Sequence, residues 1–394
     1  MHLDPSLPIL VAIITVILLI GTSLHLMKQP QIIGYLLAGV AIGPFGFGLF
    51  PDTEFATRLG SYGVVLLLFF VGMEVAPKRL LARWRIAVIG TVVQVALSVA
   101  MVVPLGLWLD WPLARIVLLG FVTSLSSTAV IIKLLRDSGE IDQKEGQDVL
   151  GILLVQDLII IPMLIIVGLL GESTLSWGEL GTQVFGAIVM VAVLIWALSR
   201  ETLHLPFEEL IKKDSELQVF AALLICLGLS LLTGMAHLST ALGAFAAGIL
   251  VTATRETRWV HESLDPFRVI FVALFFVSVG LLVDLSFIAS HAIQVALLVT
   301  IVLIGNTLLN AMILRWLGYR WRESLYAGAM LAQIGEFSFV LAAVGLSTAI
   351  ISEIAYQYTI AVIALSLLLS PFWIRAARKL LKVDYLAVTQ QTAE

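Results

Sequence analysis

The chain has 394 residues, of which 60% are hydrophobic and 13% charged, and its formal net charge at pH 7 is −4. Its mean hydropathy of +1.05 excludes an ordinary soluble domain and indicates a polytopic membrane protein. The single cysteine, Cys226, excludes an internal disulfide framework. No basic stretch with interleaved aromatics points to nucleic acid, and no nucleotide-binding loop points to an ATP-driven pump. We expect neither an enzyme nor a bound cofactor.

A membrane-spanning helix needs about 20 mainly apolar residues, and the sequence predicts thirteen of them, separated by polar turns. In chain order they cover 7–26, 30–49, 59–76, 86–107, 112–135, 147–170, 178–199, 215–235, 239–254, 266–283, 285–314, 323–348 and 354–376. The predicted fold class is therefore all-α, with the whole chain, 1–394, forming one membrane unit.

The distribution of basic residues predicts the orientation of these spans. With the N-terminus outside and the C-terminus in the cytoplasm, 21 of the 23 Lys and Arg lie on the cytoplasmic side. Only Arg58 and Arg115 then lie outside. Such a bias is what the positive-inside rule predicts for a correct count of spans.

The two halves of the chain repeat each other weakly. Gly34–Gly39 resembles Gly243–Gly248 at an offset of 209 residues, and Leu68–Val71 resembles Leu274–Val277 at an offset of 206. Both offsets correspond to seven spans, and an odd number means that equivalent helices cross the membrane in opposite directions. The sequence thus predicts an inverted repeat, which is common among secondary transporters. Chance similarity between apolar segments is the alternative for either match alone.

Polar interruptions lie at equivalent places in two predicted spans. Thr123–Thr128 interrupts 112–135, and Gln333–Ser338 interrupts 323–348, again about 209 residues apart. Helices broken at mid-membrane depth are tolerated where they line a cavity or are buried in protein. We therefore expect two broken helices that cross near a site, although a run of small hydroxyls also suits plain helix packing.

Asp157 lies ten residues into the span 147–170, about 15 Å along the helix. Desolvation favours the protonated form of such a carboxylate, whereas a bound cation favours its charged form. One group that binds either a proton or a cation is what an exchange carrier needs. A single carboxylate among neutral oxygens suits a monovalent cation better than a divalent one. A structural interhelical hydrogen bond is the alternative for Asp157.

The predicted ion and proton site consists of this carboxylate and neighbouring neutral oxygen donors. Its members are Asp157, Gln156, Thr123, Ser126, Ser127 and Thr128. Three further residues are predicted as support: Glu336, Gln333 and Asn306. For Glu336 the preferred interpretation is a cap on a broken helix, with a second cation or proton group as the alternative.

Several stretches spread over nearly the whole chain resemble Kef-type potassium/proton antiporters of the monovalent cation:proton antiporter family 2. They are Lys28–Gly39, Ile42–Pro44, Leu68–Glu74, Ser126–Ala129, Val155–Asp157, Leu274–Gly280 and Gln333–Phe339. The resemblance implies the sodium/proton antiporter-like fold, in which the two broken helices cross, and it places Gln156 and Asp157 at the cation site of the family.

The resemblance also implies an organisation for the spans. Helices within 86–170 and 285–376 would form the ion-binding core, helices within 7–76 and 215–283 a dimerising scaffold, and 178–199 the linker helix. It further implies a homodimer in the bacterial inner membrane whose core moves like an elevator. Kef proteins continue into a cytoplasmic nucleotide-binding domain, so a regulatory domain or subunit outside this chain is an expected partner.

One departure from the family affects the expected cycle. Many relatives carry a lysine that can pair with the essential aspartate, and here Asn306 occupies that position. Neutralisation of Asp157 must then come from the cargo, which favours an electroneutral exchange of K⁺, or Na⁺, for H⁺. The alternatives are a gated K⁺ channel-like efflux pathway and an ion-binding membrane sensor. The chain also resembles a Kef-related subgroup linked with iron, but a single-carboxylate site gives no physical support for iron as the cargo.

Overall fold

The structure is a computed structural model. It describes residues 6–27, 29–50, 53–74, 85–140, 143–171, 185–186, 189–190, 192, 214–236, 240–252 and 257–382. The described residues contain no β-strand, and nearly all of them are helical.

Numbered along the chain, the helices are α1 (Ser6–Leu26), α2 (Gln31–Ile42), α3 (Thr53–Glu74), α4 (Gly90–Trp108, after a π-helical turn over Arg85–Ile89), α5 (Leu113–Ser124), α6 (Thr128–Asp137), α7 (Lys144–Leu170), α8 (Ser215–Met235), α9 (Thr240–Thr252), α10 (Thr257–Leu281), α11 (Leu285–Ser290), α12 (Ala292–Trp316), α13 (Trp321–Met330), α14 (Phe337–Ser347) and α15 (Glu353–Leu381). Twelve of the thirteen predicted spans coincide with a described helix or a pair of consecutive helices. The predicted linker helix, 178–199, lies almost wholly outside the described residues.

Five described helices are long and apolar enough to cross a membrane on their own. They are α4 with the turn before it, α7, α8, α12 and α15. Several others are shorter because a predicted span is divided into two consecutive pieces. The span predicted over 112–135 is α5 and α6, and the span predicted over 323–348 is α13 and α14.

Two boundaries differ from the prediction. The span 285–314 is not one helix, because Asp284 caps the short α11 and His291 leaves helical geometry before α12 begins. The mixed-charge segment before residue 266, predicted as a loop, is helical from Thr257 onward. The charged residues after Thr257 and the apolar run that follows them form one helix, because no proline before Pro266 interrupts helical hydrogen bonding in that segment.

The chain divides into two compact units. The first contains Met1–Ile20, Gly34–Pro77 and Leu164–Leu282, and the second contains Gly21–Ile33, Lys78–Met163 and Val283–Glu394. In the first unit, Phe69, Phe70, Ala244, Ala247 and Cys226 belong to one buried apolar cluster. The thiol of Cys226 is thus one apolar group among others.

Within the first unit, α2 crosses α10 and α3 crosses α9 at pairs of glycines. A methyl group on Gly39 would meet the Cα of Gly280 at 2.9 Å, and one on Gly72 would meet the Cα of Gly248 at 3.1 Å. Such contacts leave no room for a side chain, so the helix backbones touch directly, as small residues permit in membrane proteins.

These crossings support the inverted repeat and correct one of its registers. Gly39 and Gly248 are equivalent at the predicted offset of 209, but the partner glycines, Gly72 and Gly280, differ by 208 rather than 206. The matching Phe-Phe pairs that suggested 206 are similar in composition but not in position. Backbone contact requires glycine, whereas many apolar residues serve the remaining positions.

In the second unit, the two broken helices meet at their interruptions. The N–H of Gly335 donates to the carbonyl of Leu125 at 2.7 Å. A methyl group on Gly335 would lie 2.6 Å from the carbonyl carbon of Ser126. Local sequence explains the first interruption, because four hydroxyl residues within Ser124–Thr128 offer the backbone alternative hydrogen bonds. Glycine at position 335 then permits the contact between the two broken helices.

Candidate functional site

Asp157 lies on α7 in the second unit and is only 6% exposed. The hydroxyl of Thr128 donates to its Oδ2 at 2.9 Å. Thr128 is the first residue of α6, so the carboxylate is held at the N-terminal end of a half-helix. The partial positive charge of that end stabilises the ionised carboxylate.

The side chain of Gln156 is held from both ends. Its Oε1 accepts from the N–H of Ser126 at 2.9 Å, and its Nε2 donates to Oε1 of Gln94 at 2.7 Å. Nε2 of Gln94 in turn donates to the carbonyl of Ser124 at 3.0 Å. Hydrogen bonds of these two buried amides thereby join the helices α4, α5 and α7. They fix the side chain of Gln156, which directly precedes Asp157 in the sequence.

Gln94 was not among the residues predicted from the sequence. It is 1% exposed and lies in the middle of the apolar span 86–107. An amide at that depth needs a hydrogen-bond partner, and the rule that singled out Asp157 could also have singled out Gln94. Neutrality made the residue less conspicuous than a carboxylate.

The hydroxyls of Ser126 and Ser338 fasten the crossing of the broken helices. Ser126 Oγ donates to the carbonyl of Leu331 at 2.8 Å, and Ser338 Oγ donates to the carbonyl of Val122 at 2.7 Å. Each half therefore supplies a hydroxyl to the other. Ser126 therefore donates its hydroxyl to the residue that follows α13 and its N–H to Gln156.

Asn306 on α12 also bonds to both breaks. Its Nδ2 donates to the carbonyl of Thr123 at 2.8 Å and to that of Ala332 at 3.1 Å. Asn310, one turn further along, donates to the carbonyl of Asn306 at 2.9 Å. The carbonyls at both half-helix ends are therefore satisfied by a neutral amide at the position where the family resemblance leads one to expect a lysine.

Two predicted ligands direct their hydroxyls elsewhere. Thr123 Oγ donates to the carbonyls of Leu119 and Gly120 in its own helix. Ser127 Oγ accepts a long hydrogen bond, 3.4 Å, from the N–H of Val130 at the start of α6. Of the four predicted hydroxyls, Thr128 is the one with a hydrogen bond to Asp157 in the described contacts.

The second break contains Glu336 and Gln333. Glu336 is 7% exposed and occupies the N-cap position of α14, but its side chain makes no capping hydrogen bond. The expected cap is therefore not formed by the carboxylate. Gln333 is fully buried in the segment between α13 and α14.

The charge of the site is asymmetric with respect to the repeat. At the offset of 209, the position equivalent to Asp157 is Ser366, whose hydroxyl accepts from the N–H of Ile334 at 3.1 Å. Among the described residues, no group of three or more His, Cys, Asp or Glu could hold a metal ion. One buried carboxylate beside neutral oxygens can bind a proton or a monovalent cation.

Comparison with known proteins places this arrangement in a family. Residues 11–378 match the family described as sodium/hydrogen exchanger, transmembrane. The chain is 36% identical to the iron transporter MagA of Paramagnetospirillum magneticum (strain ATCC 700264 / AMB-1), over 93% of this chain and 84% of that protein.

Two further relatives bear the names of antiporters. YbaL of Escherichia coli (strain K12), named as a cation/proton antiporter, is 30% identical over 100% of this chain and 71% of its own length. K(+) efflux antiporter 5 of Arabidopsis thaliana is 30% identical over 92% of this chain, which spans 65% of that relative.

A solved structure shows the same fold. The sodium proton antiporter MjNhaP1 of Methanocaldococcus jannaschii at pH 8 superposes with a TM-score of 0.69 at 19% identity, covering 95% of this chain and 97% of that one. The predicted antiporter-like fold with crossing broken helices is thus confirmed. On its family match and its relatives, the chain belongs to the transmembrane sodium/hydrogen exchanger family and is related to the Kef-type cation/proton antiporters.

Proposed function

We propose that the protein is a secondary antiporter that exchanges a monovalent cation for protons at Asp157. The observation that carries this proposal is the buried carboxylate held by Thr128 at 2.9 Å at the start of a half-helix. A carboxylate so placed is stabilised by a proton or a cation, and each displaces the other. Coupling then follows if the core changes its access only when Asp157 is neutralised.

The proposed cycle is electroneutral. Asn306 stabilises the break carbonyls without adding a charge, so no basic side chain supplied from that position neutralises Asp157. One cation is then exchanged for one proton, because each carries the single charge that the carboxylate requires.

Potassium is the proposed cargo, with sodium as the second candidate. The name of K(+) efflux antiporter 5 supports potassium, whereas the family description and MjNhaP1 support sodium. Iron is named for MagA, but Fe²⁺ sites commonly combine imidazole with carboxylate ligands. The described residues hold no group of three or more His, Cys, Asp or Glu, so iron is not the proposed cargo.

Conformational change and assembly follow the family resemblance in this proposal. The unit that contains Asp157 would move as the core of an elevator, and the other unit would serve as the scaffold of a homodimer. The membrane would be the bacterial inner membrane, with the C-terminus in the cytoplasm as the basic residues predict. A cytoplasmic nucleotide-binding domain or subunit is the proposed regulatory partner.

Cation-induced proton movement in sealed proteoliposomes tests the function. Adding K⁺ or Na⁺ to one side should change the pH on the other side at a saturable rate, and Asp157→Asn should abolish this signal. Proton movement that persists in Asp157→Asn would refute the site. An ionic current many orders of magnitude faster than a carrier cycle would identify a channel, and ion binding without movement would identify a sensor.

A further inference from the structure

Gln333 has an unusual environment in the second break. Its side chain is 0% exposed. Within the described part of the chain, neither Oε1 nor Nε2 has a hydrogen-bond partner. A buried amide without partners is costly, and such groups are rare in native proteins unless water or an ion satisfies them.

The polar backbone groups of the residues on either side of Gln333 are hydrogen-bonded. The carbonyls of Leu331 and Ala332 accept from Ser126 and Asn306. The N–H groups of Ile334 and Gly335 donate to Ser366 Oγ and to the carbonyl of Leu125. Polar atoms on both sides of Gln333 are thus paired, and the side chain is the group left over.

The equivalent position in the first half shows that no such group is required for the crossing. Ser124, 209 residues earlier, donates its hydroxyl to Phe121 in its own helix at 2.8 Å, and its carbonyl accepts from Gln94. A short hydroxyl therefore suffices where the first helix breaks. The longer amide at 333 supplies an oxygen that the backbone geometry does not need.

We propose that Gln333 Oε1 is a ligand of a second alkali-cation site, located in the second break. An amide oxygen is a hard neutral donor, which suits Na⁺ or K⁺ together with water that the ion retains. The amide N–H groups would donate to water retained by the ion. Because the Gln333 amide does not titrate, a proton does not displace the cation from this ligand, and the cation stays bound while Asp157 exchanges its cargo.

This site does not depend on transport at Asp157, so the two are separated by experiment. The full chain in detergent is exchanged into choline chloride, and the melting temperature is followed as K⁺ or Na⁺ is added. Ligand binding to the folded state raises the melting temperature by mass action. We expect Asp157→Asn to retain a cation-dependent rise, and Asp157→Asn combined with Gln333→Met to lose it.

The single variants make the result specific. Gln333→Met replaces the amide with an apolar chain of similar length and should melt no lower than wild type in choline. Ser324→Ala is the matched control, because Ser324 Oγ on α13 is also buried without a partner, and this variant should keep the full cation response. Gln333→Glu retains an oxygen and should respond at lower cation concentrations.

Two outcomes would overturn the second site. One is an undiminished cation response in Gln333→Met, which would make Gln333 an unpaired packing residue or a ligand of water alone. The other is loss of every cation response in Asp157→Asn, which would leave Asp157 as the sole cation site and support the proposed function by itself. If Gln333→Met does not fold, an unchanged midpoint in Gln333→Glu equally refutes the proposal.

Discussion

The carbonyl oxygens of Thr123 and Ala332 accept hydrogen bonds from the same nitrogen, Nδ2 of Asn306. The two residues lie 209 positions apart, which is the offset of the repeat. Val122 and Leu331, the preceding residues, form a second equivalent pair, since each accepts a hydroxyl from the opposite half. Asn306 therefore lies close to the axis that relates the two breaks, and one amide serves both.

A charge placed on this axis should alter the electrical balance of the cycle. In Asn306→Lys, an ammonium group lies near both breaks and can pair with Asp157 when the cargo leaves. We expect exchange to become sensitive to membrane potential and the apparent cation affinity to fall. Both are measured in proteoliposomes whose membrane potential is set without a potassium gradient, because K⁺ is itself the proposed cargo. Asn306→Leu removes the amide without adding charge, so it should lower stability and leave exchange insensitive to potential. A potential-driven wild-type protein would contradict the electroneutral cycle.

The hydroxyl of Thr128 should contribute to ion affinity. Thr128→Val removes the donor to Asp157, and we expect the apparent KM for the cation to rise about fivefold, since a hydrogen bond contributes about 1 kcal/mol. Thr128→Ser keeps the hydroxyl and should behave much like wild type.

Thr123→Val is the matched control for that measurement, because the Thr123 hydroxyl bonds within its own helix. Equal effects of the two valine variants on KM would show that Thr128 has no special relation to the site.

Gln94 should orient Gln156. In Gln94→Leu, Nε2 of Gln156 and the carbonyl of Ser124 lose their partners inside the protein. We expect a loss of about 1–3 kcal/mol in unfolding free energy, together with a higher KM for the cation. Ser98→Ala, one turn further along α4, removes a buried hydroxyl that has no partner in the described contacts, and it should be neutral or stabilising. A Gln94→Leu protein of normal stability and KM would remove Gln94 from the site.

Glycine at the α3–α9 crossing should be irreplaceable. Gly248→Ala would force a methyl group into the backbone of Gly72, and we expect a loss of about 1–3 kcal/mol, as for other overpacked positions. Gly228→Ala on α8 meets nothing within 4 Å, so better helix propensity should stabilise the protein by up to about 1 kcal/mol. Thermal unfolding of both variants in one detergent makes the comparison, and equal shifts would argue against backbone contact.

Glu140 and Arg378 form an ion pair at 3.1 Å in the second unit. The carboxylate is buried and also accepts from the hydroxyl of Tyr326 at 2.8 Å. Arg378→Gln leaves this carboxylate without its cation, and we expect a loss of up to about 3 kcal/mol. Glu140→Gln keeps an acceptor for Tyr326 and should cost less.

Thermal unfolding of the double variant completes the cycle for this pair. Glu140→Gln combined with Arg378→Gln should recover most of the stability lost in Arg378→Gln. Additive losses would indicate that the two side chains do not interact.

Sequence patterns predicted the helices and the two interruptions because burial in lipid requires long apolar runs, and polar residues within them are conspicuous. They also singled out Asp157 for the same reason. They did not reveal Gln94, since a neutral amide interrupts an apolar helix less obviously than a charge.

The register of the repeat and the directions of the hydroxyls were also beyond sequence reasoning. The offset of 206 depended on similar aromatic pairs, whereas the helix contacts depend on glycines with no side chain to compare. Thr123 and Thr128 look equivalent in the sequence, and the backbone geometry of the break alone turns one hydroxyl into its own helix and the other toward Asp157.

The contact at Gly335 has a mechanical consequence. Its N–H is hydrogen-bonded to the carbonyl of Leu125, and its Cα leaves no space beside Ser126, so sliding of one broken helix along the other would break a hydrogen bond and create a steric clash. If ion binding displaces Thr128, we therefore expect α13 and α14 to move with α5 and α6 as one body.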